Sequence, residues 1–222
     1  MNALDVSAGR ALAFSLLLVA ALLVGAGCND DDDPVVPPPP GGYTTPEALM
    51  AAFVAVYEEQ DIDAFRLVVH PDFQLHLSQA TVDEFALPGT TFAYDEEMLI
   101  AERMFSGLPH VRPDQSVVPG ITRIEFAYFS AETAWVVAGP EDRFPGAYCA
   151  QFRVDIGAEQ GNEGLVGIQG IIEFALRNDP VQVNGTLRDR WRMVGQVDYT
   201  DPGGAKRPTE DTSWGELKAL YR

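Results

Sequence analysis

The stretch that decides the fold is residues 44–77, TTPEALMAAFVAVYEEQDIDAFRLVVHPDFQLHL. Thr45 is a favourable N-cap residue and Pro46 suits the first helical position, so the sequence predicts a helix beginning there. A capping box between Thr44 and Glu47 is the alternative. The apolar residues that follow recur at the helical period and form one stripe: Leu49, Met50, Phe53, Val54 and Tyr57. Asp61 predicts the cap of a second, shorter helix.

The end of this stretch changes from helical to strand period. Pro71 disfavours helical backbone at His70, so the second helix is predicted to end there. Phe73, Leu75 and Leu77 then alternate with polar residues, which is typical of a half-buried strand. The stretch therefore predicts two helices followed by the first strand of a sheet.

The chain after this stretch is predicted to be mostly strand. Residues 78–93 are predicted to form a loop, and Asp95 is predicted to cap a third helix. From Gly120 onward apolar and polar residues alternate in several runs, the last of them from Leu187 to Val197, which predicts an antiparallel sheet with one covered face. The dipeptide Asn184-Gly185 predicts a hairpin turn.

A final helix is predicted near the end of the sequence. Ser213 and Glu216 have the spacing of a capping box. The apolar residues Trp214, Leu217, Leu220 and Tyr221 share one face of this helix. We expect that face to dock against the body of the domain, because large rings are rarely left exposed in a patch.

The order long helix, short helix, His70-Pro71-Asp72-Phe73 and strand, with a strand-rich remainder, resembles the opening of the nuclear transport factor 2-like (NTF2-like) family. The resemblance implies an α+β fold in which N-terminal helices pack on a curved, mostly antiparallel sheet to form a cone, with the C-terminal helix as an addition. SnoaL-type polyketide cyclases, ketosteroid isomerases and scytalone dehydratase share this cystatin-like cone. The resemblance therefore implies a fold and leaves function open.

The N-terminal residues have the composition of a leader. Residues 11–24 form an apolar run of 14 residues, which suits a signal-peptide core and is short for a membrane span. The small residues 25–27 directly before Cys28 resemble the bacterial lipobox, with Gly25 where leucine is usual. This resemblance implies cleavage before Cys28 and acylation of that residue, which would anchor the chain to a bilayer. The alternative is a plain secretory leader that ends near a cysteine.

Residues 29–42 are rich in aspartate and proline and cannot form a packed core. In an extended polyproline conformation they would span roughly 40 Å at about 3.1 Å per residue. The predicted organisation is a lipoprotein signal peptide over residues 1–27, a lipidated cysteine and tether over 28–42, and an NTF2-like domain over 43–222. The predicted location is the bacterial cell envelope, lipid-anchored on the periplasmic or extracytoplasmic face.

The formal net charge of −18 limits the range of partners. An acidic surface repels nucleic acid and anionic headgroups, so no nucleic-acid partner is predicted. A soluble surface explains the charge, and a cationic partner is the alternative. Cys149 is the second of two cysteines, lies in a predicted strand and has no base beside it in sequence, which favours a structural role.

The candidate catalytic residues are few. His70, Asp72 and His76 are close in sequence, but a metal site needs three or four converging ligands, and we predict neither a metal nor a cofactor. Asp72 is expected instead to accept backbone N–H groups in a turn after Pro71. If the domain were an enzyme, the weak candidates for its acid or base would be Asp72, His76 and Tyr57.

The residues predicted to face the interior of the cone are mostly aromatic. The candidate lining of a ligand pocket is Phe53, Tyr57, Phe126, Tyr128, Phe152, Phe174 and Trp191. This composition suits either an apolar small molecule or a packed core. Arg188, Arg190 and Arg192 form a basic stripe that is expected to pair with Asp155, Glu173 or Asp198. The alternative is that the stripe forms an anion-binding face or a homodimer face through the sheet.

Two functions follow as hypotheses. The first is a membrane-anchored lipoprotein whose cone domain binds a ligand or a protein without catalysis. The alternative is a small-molecule isomerase, dehydratase or cyclase that uses an acid–base residue inside the cone. A cone interior filled by its own aromatic side chains would favour the first hypothesis.

Overall fold

A computed structural model describes residues 42–161, 164–199 and 212–222. The predicted leader, Cys28 and most of the tether lie outside the described residues. The helices are α1 (Pro46–Glu59), α2 (Ile62–Val68), α3 (Gln79–Glu84), α4 (Tyr94–Phe105) and α5 (Trp214–Leu220). The strands are β1 (Val69–His76), β2 (Thr91–Ala93), β3 (His110–Val111), β4 (Val117–Val118), β5 (Ile121–Ala131), β6 (Val136–Val137), β7 (Tyr148–Gln160), β8 (Gly164–Asn178), β9 (Val181–Val183), β10 (Thr186–Arg188) and β11 (Trp191–Asp198).

The helix starts predicted from the opening stretch are confirmed by their caps. The Thr45 hydroxyl accepts the backbone N–H of Ala48 at 3.1 Å, and Pro46 is the first residue of α1. Asp61 Oδ1 accepts the N–H groups of Asp63 and Ala64 at 2.9 and 3.0 Å. These bonds satisfy donors that the first helical turn cannot pair internally.

The main sheet contains seven strands in the order β2-β1-β11-β8-β7-β5, with β6 also paired to β7. The α+β prediction with a mostly antiparallel sheet is confirmed. The runs after Gly120 pair antiparallel as predicted, and among the described strands of this sheet β1 and β11 pair in parallel. A parallel pair needs a long connection, and residues 77–190 supply one that alternating periodicity alone does not reveal.

The prediction that residues 78–93 form a loop is wrong, since they contain α3 and β2. The hydroxyl of Ser78 accepts the N–H of Thr81 at 3.1 Å and caps α3. Asp95 does not cap α4, which begins at Tyr94 with Ala93 in the cap position and no side-chain cap bond. Asp95 instead lies in the first turn, where a negative charge favours the helix dipole.

Two predicted boundaries are displaced by irregular backbone. The second helix ends at Val68, and Pro71 lies inside β1 at a register irregularity between Val69 and Gln74.

The single strand predicted from Leu187 to Val197 is two strands. β10 belongs to a separate hairpin with β9. The turn of that hairpin is the predicted Asn184-Gly185, whose φ angles are 49° and 80°.

The main core lies between the helices and one face of the sheet. A smaller apolar cluster covers the opposite face, because neighbouring residues of a strand point to opposite sides. Phe144 packs there against Ala175, Val194 and Val197. An added Cβ at Gly195 would lie 2.1 Å from the Phe144 Cε1 atom, so any larger residue there would force this ring to move. None of the helices among the described residues is long and apolar enough to cross a membrane.

Candidate functional site

The C-terminal helix α5 lies inside the domain rather than on its surface. Its residues from Trp214 to Ala219 are all buried, including Glu216 and Lys218. The predicted capping box is present, since the Ser213 hydroxyl accepts the Glu216 N–H at 3.0 Å and the Glu216 carboxylate accepts the Ser213 N–H at 2.6 Å. The predicted docking of this helix is therefore confirmed.

Both ends of the C-terminal segment are fixed to the body. The Gly215 N–H donates to Asp198 Oδ2 at the end of β11 over 2.7 Å. At the other end the Tyr221 hydroxyl donates to the Pro119 carbonyl oxygen over 2.5 Å and accepts from Gln160 at 3.2 Å. The segment thus spans from the end of β11 to the end of β7.

Beneath α5 four polar side chains meet in an apolar setting, and we call them the internal polar cluster: Tyr57 of α1, Glu97 of α4, Gln196 of β11 and Lys218 of α5. Each is at most 1% exposed. The ammonium of Lys218 donates to Glu97 Oε1 and lies 3.5 Å from Gln196 Oε1. The Tyr57 hydroxyl donates to the same Glu97 oxygen over 3.5 Å.

Aromatic faces complete the surroundings of the ammonium. The Lys218 Nζ atom lies 4.7 Å from the centre of the Trp214 ring and 5.9 Å from that of Tyr57. Both distances are within the range of cation–π attraction. The indole N–H of Trp214 donates to Gln196 Oε1 over 3.3 Å.

The cluster is electrostatically costly. Burial lowers the pKa of Lys218, and the negative charge of Glu97 partly offsets that effect. Burial, followed by the charge of Glu97, raises the pKa of the Tyr57 hydroxyl well above its ordinary value. Tyr57 therefore remains protonated and can act as a hydrogen-bond donor at any ordinary pH.

Five of the predicted pocket residues lie together as packed rings: Phe53, Tyr57, Phe126, Phe152 and Phe174. The centre of the Phe53 ring lies 5.2 Å from that of Phe174 and 4.9 Å from that of Tyr57. Phe152 and Phe174 are separated by 5.3 Å. These are ordinary edge-to-face or tilted core contacts, so the rings fill this part of the cone.

The other two predicted pocket residues lie elsewhere. Trp191 packs at a right angle on Tyr148, with the ring centres 5.1 Å apart. Tyr128 is 47% exposed and lines a shallow groove of about 320 Å³ with Arg153 and Gln169. A ligand-binding role for the seven residues stays a prediction, as does a homodimer through the sheet.

The three weak catalytic candidates contact different groups. Tyr57 belongs to the internal polar cluster. Asp72 is exposed and pairs with Arg177 at 2.9 Å, and its N–H donates to His70 Nδ1 in place of the predicted turn. His76 packs edge-on against Phe144, and burial together with Arg143 lowers its pKa. No three His, Cys, Asp or Glu side chains within residues 42–161, 164–199 and 212–222 are grouped as a metal site requires.

The basic stripe is also engaged differently from the prediction. The Arg192 guanidinium donates to the backbone carbonyl oxygens of Arg66 and Val69, the first over 3.1 Å. Among the predicted acidic partners, Asp155 accepts from Gln169 at 2.9 Å, and Asp198 accepts the Gly215 N–H described above. Arg192 therefore ties β11 to the end of α2 and the start of β1.

A groove of about 430 Å³ lies on the outer face of the sheet beside Phe144. Glu141, Asp142, Glu173 and Cys149 are among its lining residues. Burial, and then the charges of Glu173 and Asp142, raises the pKa of the Cys149 thiol to about 11. A thiol that stays protonated is a poor nucleophile.

The Cys149 thiol is expected to be unreactive in the folded chain. A shift of its pKa from 9.0 to about 11 lowers the thiolate fraction at pH 8 about a hundredfold. The measurement is the rate of iodoacetamide alkylation of a Cys28→Ser chain, folded and in urea. Equal rates in the two states at pH 8 would contradict the electrostatic account.

Solved structures similar to this chain include an NTF2-like protein of unknown function in nutrient uptake from Rhodospirillum rubrum. It is 11% identical, 67% of this chain and 92% of that chain are covered, and the TM-score is 0.37. The described residues form helices packed on a mostly antiparallel sheet, which is the α+β cone architecture that the sequence resemblance implied.

Two further solved structures are similar to this chain. A candidate aromatic ring hydroxylase from Novosphingobium aromaticivorans is 16% identical, with 68% of this chain and 82% of that chain covered and a TM-score of 0.41. A conserved protein from Planctomyces limnophilus is 11% identical, with 68% and 89% covered and a TM-score of 0.38. No family model and no curated protein matches the sequence. Likenesses this distant carry nothing about function.

Glu97, Gln196 and Lys218 of the internal polar cluster were not identified as functional candidates from the sequence. Glu97 reads as a first-turn acid that complements the dipole of α4. From the sequence, Lys218 is interpreted as an ordinary polar residue of an amphipathic helix, and it lies 121 positions after Glu97. One signal was available, because Lys218 follows directly after the apolar Leu217 in a helix expected to dock.

Proposed function

We propose that the chain is a lipoprotein of the bacterial cell envelope, anchored through an acylated Cys28, whose cone domain binds a ligand or partner and does not catalyse. The observation that supports binding without catalysis is that Glu97, the acid of the internal polar cluster, is fully buried. A catalytic acid or base must come within hydrogen-bond reach of its substrate. Here the ammonium of Lys218 occupies that space, and the Trp214 ring lies 4.7 Å behind it.

The anchor is supported by the order of the N-terminal segments. An apolar run of 14 residues, small residues before Cys28 and an acidic, proline-rich tether follow one another. A tether of this composition would hold an acidic domain away from headgroups that repel it. The bilayer is therefore the proposed partner at this end of the chain.

Labelling of growing bacteria with radioactive palmitate tests the anchor. The wild-type chain should carry label and sediment with membranes, whereas Cys28→Ser should carry none. Cys149→Ser is the matched control and should be labelled like wild type. Equal label in wild type and Cys28→Ser would refute the anchor.

Native mass spectrometry tests binding without catalysis. The full chain with Cys28→Ser, incubated with extract of its own cells and repurified, should carry a small molecule that is released at unchanged mass after prolonged incubation. Turnover would show as a captured molecule whose mass changes with time on the Cys28→Ser chain but stays constant when Glu97→Gln is added. That result would refute the proposal.

The enzyme alternative has one observation in its favour. Tyr57 and Glu97 form an acid–base pair in an apolar interior, with 3.5 Å between the hydroxyl and the carboxylate oxygen. An isomerase, dehydratase or cyclase could use such a pair if α5 withdrew. Turnover that depends on Glu97 would establish it.

A further inference from the structure

The helix α5 fills a space whose walls are formed by other elements of the domain. α5 contributes no strand to the sheet, so its removal would break no strand pairing. Its contacts run to α3 through Thr81, to α4 through Glu97 and to β11 through Gln196 and Asp198. A space bounded by helices on one side and strands on the other would therefore remain if α5 withdrew.

Two polar atoms under α5 lack a hydrogen-bond partner even when this helix is docked. Glu97 Oε2 and Gln196 Nε2 are buried and have no hydrogen-bond partner among the described residues. One is an acceptor and the other a donor. Native proteins rarely leave such atoms unpaired in the interior, so their presence indicates capacity for an additional group.

We propose that this space is a binding site for a primary ammonium group carried on an apolar body, and that Lys218 is its internal occupant. The inference rests on the proposed function in assuming that the cone domain binds a ligand. The lysine side chain is itself an aliphatic amine, and here its ammonium meets Glu97, Gln196 and the Tyr57 ring. A ligand with the same head group reproduces each of these contacts.

Charge decides the ligand class. If Lys218 leaves with α5, the carboxylate of Glu97 stays in a buried site bounded by the Tyr57 ring and by apolar side chains. A neutral ligand would leave that charge without a counter-charge, and an anionic ligand would add a second negative charge. A cation restores the balance, and its apolar body would take the place of Trp214 and Leu217, both fully buried.

Displacement of α5 is physically accessible. A helix of seven residues is not stable by itself, so its order depends on docking. Part of the docking energy is offset by the desolvation of Lys218 and Glu97. The ligand competes with α5, so its apparent affinity equals its intrinsic affinity multiplied by the fraction of molecules with α5 withdrawn.

The test uses the full chain with Cys28→Ser and three probes of equal length: n-hexylamine, 1-hexanol and hexanoate. Binding is followed by calorimetry, and withdrawal of α5 by hydrogen exchange of residues 212–222. Hexylamine should bind and accelerate exchange of this segment, whereas hexanol and hexanoate should do neither. Exchange in β7 and β8 should stay unchanged.

Three substitutions sharpen the result. Lys218→Met removes the competing ammonium and should tighten hexylamine binding by roughly tenfold or more. Glu97→Gln removes the counter-charge and should weaken it by roughly tenfold or more. Glu102→Gln is the matched control, because Glu102 lies on the same helix but pairs with Arg66 at the surface, and it should change nothing. The double variant Glu97→Gln/Lys218→Met keeps a folded interior without the cation site and should not bind the amine.

Each remaining outcome overturns the inference. Equal binding of hexanol and hexylamine would refute the ammonium class while leaving a ligand-binding cone in place. Amine binding without faster exchange of residues 212–222 would refute displacement of α5. Failure of hexylamine to bind a Lys218→Met chain with native circular dichroism would refute the site. Palmitate labelling and ligand capture judge the proposed function separately.

Discussion

Replacing Lys218 with methionine is expected to destabilise the docked α5 helix by about 3–5 kcal/mol, because Glu97 would keep a buried charge without its partner. Methionine matches much of the lysine stem in length and volume, so the loss would come from charge rather than from packing. Urea unfolding measures the global effect, and hydrogen exchange of residues 212–222 measures the local one. The exchange of this segment should accelerate more than that of the central strands β7 and β8.

A double-mutant cycle separates the charge from the contact. Glu97→Gln/Lys218→Met removes both charges and should be as stable as wild type or more stable by about 1–4 kcal/mol, since a buried ion pair often costs more than it returns. The matched control is Arg222→Met, which breaks a partly exposed pair with Glu96 near the same helix and should cost about 1 kcal/mol or less. A single Lys218→Met variant as stable as this control would contradict the assignment of a buried ion pair.

The order of helices and strands could be predicted because local chemistry decides it. Thr45, Asp61 and Ser213 are caps whose partners lie within three residues along the chain, and all three predictions are confirmed. Ser78 caps α3 by the same chemistry, but the polar residues around it concealed a helix of six residues. Short helices carry too few residues for a periodic signal.

The internal polar cluster could not be predicted because its members come from four distant elements. The parallel pairing of β1 with β11 and the depth at which α5 docks bring its four side chains together: Tyr57, Glu97, Gln196 and Lys218. Neither feature leaves a local pattern. The sequence indicated that Trp214 and Leu217 would be buried, and the one sign that Lys218 would be buried with them was its position directly after Leu217.

Phe174→Ala is expected to lower the free energy of unfolding by about 3–5 kcal/mol, the range for truncating a large aromatic side chain in a packed core. Phe174 is fully buried, and its ring centre lies within 5.8 Å of those of Phe53, Phe129 and Phe152. Removing the ring would leave a cavity among side chains that cannot all move into it. Urea unfolding should show a lower midpoint with an unchanged slope, which indicates a loss of stability alone.

The size of this effect distinguishes a filled cone from an open one. If Phe174 lined an open ligand cavity, its truncation would enlarge the cavity and cost little, since few contacts would be lost. Tyr128→Ala is the matched control, because Tyr128 was predicted in the same pocket but is 47% exposed, and it should change stability by about 0.5 kcal/mol or less. A loss for Phe174→Ala as small as that of the control would show that the rings do not fill the interior. The binding site would then extend from the space under α5 into the aromatic end of the cone.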